Sequence, residues 1–192
     1  KQENQDAQVV KALIYMIGLQ SANRENNELL SIKEIEAEIP HSKEPATSVL
    51  KNILAELYYD YYQNVRWQLY NRTKTYNYQK FDITSWDGED FHRKMSELYL
   101  QSIQNEKLLQ QIKVEAFDAI IIKGTVRNLR PTLYDLLANR AVQYFKGDER
   151  DIKKPATAFE LDQASAFEPA ADFIKSKFAT TDSLSLKHKA LL

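Results

Sequence analysis

The sequence predicts an all-α fold: antiparallel helix pairs stacked as an irregular α-α superhelix, with no sheet. Three observations predict it. Only 4 Gly and 5 Pro punctuate 192 residues, apolar residues recur at intervals of three and four nearly throughout, and no run alternates apolar with polar for more than a few residues. No repeat of fixed period occurs, so the stacking is TPR-like in style without being a consensus array.

The elements follow in order. From about Asp6 to Leu19 a first helix places Val9, Leu13, Met16 and Ile17 on one face. The polar stretch Asn23 to Asn27 breaks it, and a shorter helix runs from about Glu28 to Glu38, before Pro40. The longest helix begins with Pro45 at its first position, where a missing amide has no partner to lose. It runs to about Tyr70 or Asn71 with Ile53, Leu54, Leu57, Tyr58, Tyr61 and Val65 as a buried stripe. Thr84, with Asp87 three residues on, has the spacing of a capping box that uses Asp for the usual Glu. The helix after it, to about Gln104, turns Phe91, Met95, Leu98 and Tyr99 inward.

Two helical pieces cover Glu106 to Ile122, and Pro131 opens the next helix, which buries Leu133, Leu136, Leu137, Ala141 and Phe145 and ends at Gly147 as a left-handed cap. The segment "GDERDIKKPATA" reads as a solvated loop. A short helix from Pro169 faces Phe173 and Ile174 inward, and Asp182 or Ser183 caps a last helix with Leu184 and Leu191 on one face.

Composition narrows the function. Lys and Arg number 26 against 27 Asp and Glu, which lacks the cationic surplus that phosphate neutralisation demands, so no nucleic acid is expected as partner. There is no cysteine, which removes disulfides, thiolate catalysis and Cys-ligated metals from this segment. The longest apolar run, Ala12 to Ile17, is far short of the roughly 20 residues of a membrane-spanning helix. Lys1 stands where a start would be, nothing near it has the build of a signal peptide, and a helix begins close to the other end. The reading is a single helical domain over 1–192, a fragment of a longer chain, with a possible subdivision near the 147–155 loop.

Chemistry is sparse. His41, His92 and His188 have no ligand spacing and read as surface or capping residues. No phosphate loop, nucleophile elbow or dinucleotide fingerprint occurs, so no catalytic, cofactor or metal site is expected. Arg66, Arg72, Arg127, Arg130 and Arg140 would make an anion site only if they converged, and pairing with carboxylates such as Asp135 is the commoner arrangement. The feature that stands out is aromatic: Tyr58, Tyr59, Tyr61, Tyr62, Trp67, Tyr70, Tyr76 and Tyr78 crowd a short span. Positions 58, 59, 61 and 62 spread widely around a helix at about 100° per residue, so they cannot all enter one core. Tyr58, Tyr59, Tyr62, Trp67, Tyr70, Tyr76 and Tyr78 are therefore the candidate interaction surface, against the plainer alternative of a central helix buried on two sides.

At "LAELYYDYYQNVRWQLYNRT", "KMSELYLQSI", "VRNLRPTLYDLLANRAVQYF" and "FEPAADFIKSK", in that order, the chain resembles the helical N-terminal region of the very large α2-macroglobulin-like proteins of Bacteroidetes. The resemblance spans most of the chain and is strongest at Arg130 to Asp135 and Asn139 to Ala141. It implies a periplasmic or cell-envelope parent that traps proteases through later β-sandwich domains, a bait region and, in many members, a thioester. None of the family's functional residues maps onto this chain. The expected role is that of a non-catalytic helical scaffold or protein-interaction module, its partners being the downstream domains of the same polypeptide or another envelope protein. The alternative is a glycan-binding helical module that uses the Tyr and Trp cluster.

Overall fold

The computed structural model describes residues 2–21, 27–69, 82–121, 127–147, 158–183 and 185–191. The described elements are helical, and the one bridge of β type among them is the isolated pair Lys113 and Thr132. The helices are α1 (Gln2–Ser21), α2 (Asn27–Glu38), α3 (Ala46–Leu69), α4 (Gly88–Ser102), α5 (Glu106–Gln111), α6 (Leu133–Phe145), α7 (Ala170–Phe173) and α8 (Leu186–Lys189). The chain divides into two compact units, Lys1–Ala141 and Val142–Leu192.

In the first unit α3 is the axis. Its 24 residues span about 36 Å at 1.5 Å per residue. Leu50, Leu54 and Tyr58 are buried one turn apart, flanked by Val49, Ala55 and Tyr62. Against this face lies α4, which buries Phe91, Met95, Leu98 and Tyr99 as the apolar spacing predicts. The pair is antiparallel: Tyr62 meets Phe91 near the start of α4, while Asn52 meets Ser102 at its end. Pro45 sits just before α3 rather than in its first position, after a cis Glu44–Pro45 bond.

The cap of α4 lies three residues later than the spacing alone suggests. Asp87 accepts from the Asp90 amide at 3.0 Å and the Asp90 carboxylate accepts from the Asp87 amide at 3.1 Å, a reciprocal box with Asp in both roles. Thr84 belongs instead to the 3-10 turn Ile83–Ser85. A second box opens α6, where Asp135 N donates to Thr132 Oγ1 at 3.2 Å and Thr132 N to Asp135 Oδ2 at 2.9 Å. Pro131 therefore precedes the cap and does not start the helix. Its carbonyl accepts from Val114 N at 2.9 Å, and Leu133 N donates to Ile112 O at 2.8 Å, which pins the start of α6 to the segment after α5.

Four further expectations about faces and caps change. Among the described side chains of α1, Ala7 and Val10 are buried and Leu13 and Ile14 half-buried, while Val9 is 50% and Met16 42% exposed; the Ile17 side chain lies outside those described. Residues 9 to 16 are apolar nearly all round, so more than one stripe is open to the helix, and packing turned 7 and 10 inward in place of 9 and 16. Gly147 has no left-handed backbone; its amide returns to Tyr144 O at 3.0 Å. In the second unit Phe173 meets Phe178 at 5.6 Å between ring centres, but Ile174 is 77% exposed, because α7 ends after one turn and presents a single side. Ser185, and neither Asp182 nor Ser183, caps α8 by accepting from His188 N at 3.1 Å, and Leu186 is buried; Leu184 and the loop at 148–157 lie outside the described residues.

Leu137 is 2% exposed at the centre of α6, so Leu137→Ala is expected to cost roughly 2–5 kcal/mol in chemical denaturation. Val9→Ala, on the outward face of α1, should stay within about 0.5 kcal/mol. Equal losses at the two positions would contradict the faces assigned here.

Candidate interaction site

The aromatic cluster is built at the junction of α2, α3 and the start of α4. Asp82 accepts from Thr84 N at 3.0 Å through its side chain and from Ser85 N at 2.9 Å through its carbonyl, folding the 3-10 turn that delivers Trp86 to α3. The Thr84 amide holds the Asp82 carboxyl below the usual carboxylate range. Trp86 then lies flat on Tyr58, with centroids 5.5 Å apart and 6° between planes. Phe91 meets Trp86 at 5.2 Å edge-on, Tyr62 at 5.5 Å and Tyr61 at 5.9 Å, all within the range where ring quadrupoles add to burial.

The polar rim of the cluster is equally organised. Tyr58 donates its hydroxyl to Glu36 Oε1 at 2.8 Å, and Lys94 Nζ reaches the same oxygen at 3.1 Å while lying 5.6 Å above the Tyr58 ring. Burial, then the hydrogen bond to Glu36 and its charge, push the Tyr58 phenol well above its ordinary range. Tyr99 is pushed up as well, chiefly by burial and then by the charge of Glu56.

These contacts divide the candidate surface. Tyr58 and Tyr62 are buried and leave it: they are the core face of α3, where they pack on Trp86 and Phe91. Tyr59 is half-buried, Trp67 is 71% exposed with the Arg66 guanidinium 5.1 Å from its ring centre, and Tyr70, Tyr76 and Tyr78 lie outside the described residues. Among the described residues Trp67 is thus the exposed aromatic of this helix end. Glu36 and Lys94, which complete the cluster, carried no signal in the sequence because they come from other helices.

Among the described residues the arginines do not converge. Arg127 pairs with Asp118, Arg130 Nη1 donates to Asn139 Oδ1 at 2.9 Å, and Arg140 pairs with Glu56 at 2.9 Å. Arg72 lies outside the described residues. Among the histidines, His41 is exposed, but His92 is buried edge-on to Tyr62 at 5.0 Å, so it is a core residue and not the surface one expected. His188 Nε2 donates to Phe178 O at 2.7 Å and its ring stands edge-on to Phe159, which ties the second unit together. Among the described residues no group of three or more His, Asp or Glu is placed to hold a metal ion. No family model, curated protein or solved structure matches this chain.

Tyr58 and Tyr99 have folded-state phenols raised above the unfolded value, so the stability they contribute is complete below about pH 10 and is lost as pH climbs through the folded-state ionisations. Both phenols are expected to ionise above the ordinary tyrosine range in an ultraviolet titration, together with loss of helical signal. Tyr58→Phe should delete one late phenol. Ionisation of every tyrosine in one step near pH 10 with the fold intact would contradict the burial.

Proposed function

We propose that this chain is a non-catalytic helical scaffold, a protein-interaction module that packs against downstream domains of a large cell-envelope polypeptide of the macroglobulin-like class or against another envelope protein. The observation that supports this most directly is on α1. Val9, Ala12 and Met16 are exposed along one face, at i, i+3 and i+7, with exposed Tyr15 beside them, while Ala7 and Val10 bury the opposite side. Single exposed apolar residues are ordinary, whereas a row on one helix is the shape of a docking face. The sequence resemblance to helical regions of macroglobulin-like proteins supplies the class of parent, and a scaffold needs no reacting group.

The test is the intact mass of the native polypeptide containing this segment, recovered from its source with an antibody to the purified chain. A product many times larger than 22.3 kDa, in the envelope fraction, is expected. A product of about that mass, away from the envelope, would overturn the proposal.

Trp67 favours a second reading, a glycan-binding module, because an exposed indole with a guanidinium beside it can stack a sugar face and bond its hydroxyls. The chain has 2 Trp, and Trp86 is packed between rings and serves as an internal reference. Saturable fluorescence change on titrating oligosaccharides, lost in Trp67→Phe, is the outcome this reading predicts. Silence across a broad panel removes it.

A further inference from the structure

A cleft of about 200 Å³ opens in the first unit between α1, α3, the segment after α5 and α6. Its inner wall is apolar: Phe117, Leu133 and Leu137 are buried, with Ile53 and Leu136 half-buried nearer the mouth. The two exposed lining residues are Glu56 and Arg140, whose side chains are about half accessible and meet at 2.9 Å. Asn52 also lines the cleft and its Oδ1 has no hydrogen-bond partner, but the residue is closed to solvent and its amide nitrogen is committed to Ser102 Oγ and Leu137 O. Polar recognition therefore belongs to the mouth, where one anion and one cation stand side by side.

We infer that this cleft binds a free α-amino acid with a bulky apolar side chain, of the leucine or phenylalanine class. The ligand carries both complementary charges on one carbon, so once Glu56 and Arg140 part, a single molecule gives each of them a charge-assisted hydrogen bond. Its ammonium takes Glu56, its carboxylate takes Arg140, and its side chain enters the apolar slot. Separating Glu56 from Arg140 is cheap because an exposed ion pair contributes little, and each regains a partner of opposite charge from the ligand. The slot is large enough: a cavity of roughly 150 Å³ walled by Leu, Ile and Phe takes up benzene. A fatty acid fits worse, since its lone carboxylate gains Arg140 but meets Glu56 unpaired, and a simple amine has the reverse fault. This assignment stands apart from the scaffold role, because it concerns a small molecule in a cleft that none of the α1 face residues lines.

The test is calorimetry and methyl NMR on the full chain with L-leucine, L-phenylalanine, L-alanine, 4-methylpentanoate and 3-methylbutylamine. Leucine or phenylalanine should saturate at about 1 mM or below, with shifts confined to the cleft methyls, Ile53, Leu133, Leu136 and Leu137 among them, and the other three should bind at least about tenfold more weakly. Glu56→Gln and Arg140→Gln, both on exposed side chains, should each weaken leucine by about tenfold. Leu136→Trp, which fills the slot from its rim and leaves both charges in place, should abolish binding. The inference is overturned if neither amino acid saturates at about 20 mM, if 4-methylpentanoate or the amine binds as tightly as leucine, or if binding survives Leu136→Trp. Circular dichroism of each variant confirms that a loss is not unfolding, and the methyl shifts of the unmodified chain locate the site without any variant.

Discussion

Phe91 is held against three rings at once, and the arrangement of the first unit depends on that contact. It is 1% exposed and meets Trp86 and both Tyr61 and Tyr62 of α3. Burying so large a side chain contributes on the order of 1.5–3 kcal/mol by transfer alone, and the ring pairs add to it. The constraint reaches outward: Trp86 must lie flat on Tyr58, Tyr58 must reach Glu36 of α2, and Lys94 of α4 must come back over the same ring. Three helices are thereby fixed at one point.

The other end of the same helix pair is fixed by a polar device. Asn52, with no exposed surface, donates to Ser102 of α4 at 3.1 Å and to the Leu137 carbonyl of α6 at 3.4 Å, while its Oδ1 has no hydrogen-bond partner. A buried acceptor left unpaired costs on the order of 1–3 kcal/mol, so this amide is a poor source of stability. Its value is geometric, since only one register of α3 against α4 and α6 brings both acceptors to Nδ2. Apolar burial holds the pair together and Asn52 selects how it is aligned.

What could be read in advance follows from how each helix is surrounded. The face of α4 was legible because Phe91, Met95, Leu98 and Tyr99 stand among charged and polar residues, leaving one apolar side. The face of α1 was not, because Val9 through Met16 offers apolar stripes in several directions and only a neighbour decides between them. Capping boxes were legible as chemistry but not as register: both Thr84–Asp87 and Asp87–Asp90 have the right spacing, and the tight turn that seats Trp86 left the second to start α4. The aromatic span announced itself, yet its division into core Tyr58 and Tyr62 and exposed Trp67 depends on where α4 lies. The cleft between Glu56 and Arg140 joins residues 84 positions apart in sequence, and nothing local marks either one.

With Phe91 and Asn52 fixing its two ends, the α3–α4 seam is expected to be the part of the first unit that opens last. Native-state hydrogen exchange, residue by residue, tests it directly. Amides of residues 50–62 and 91–99 are expected to exchange only through global unfolding, with the free energy measured by denaturation. Exchange from these residues at lower free energy than from α1 or α2 would contradict the account and move the stability centre away from Phe91.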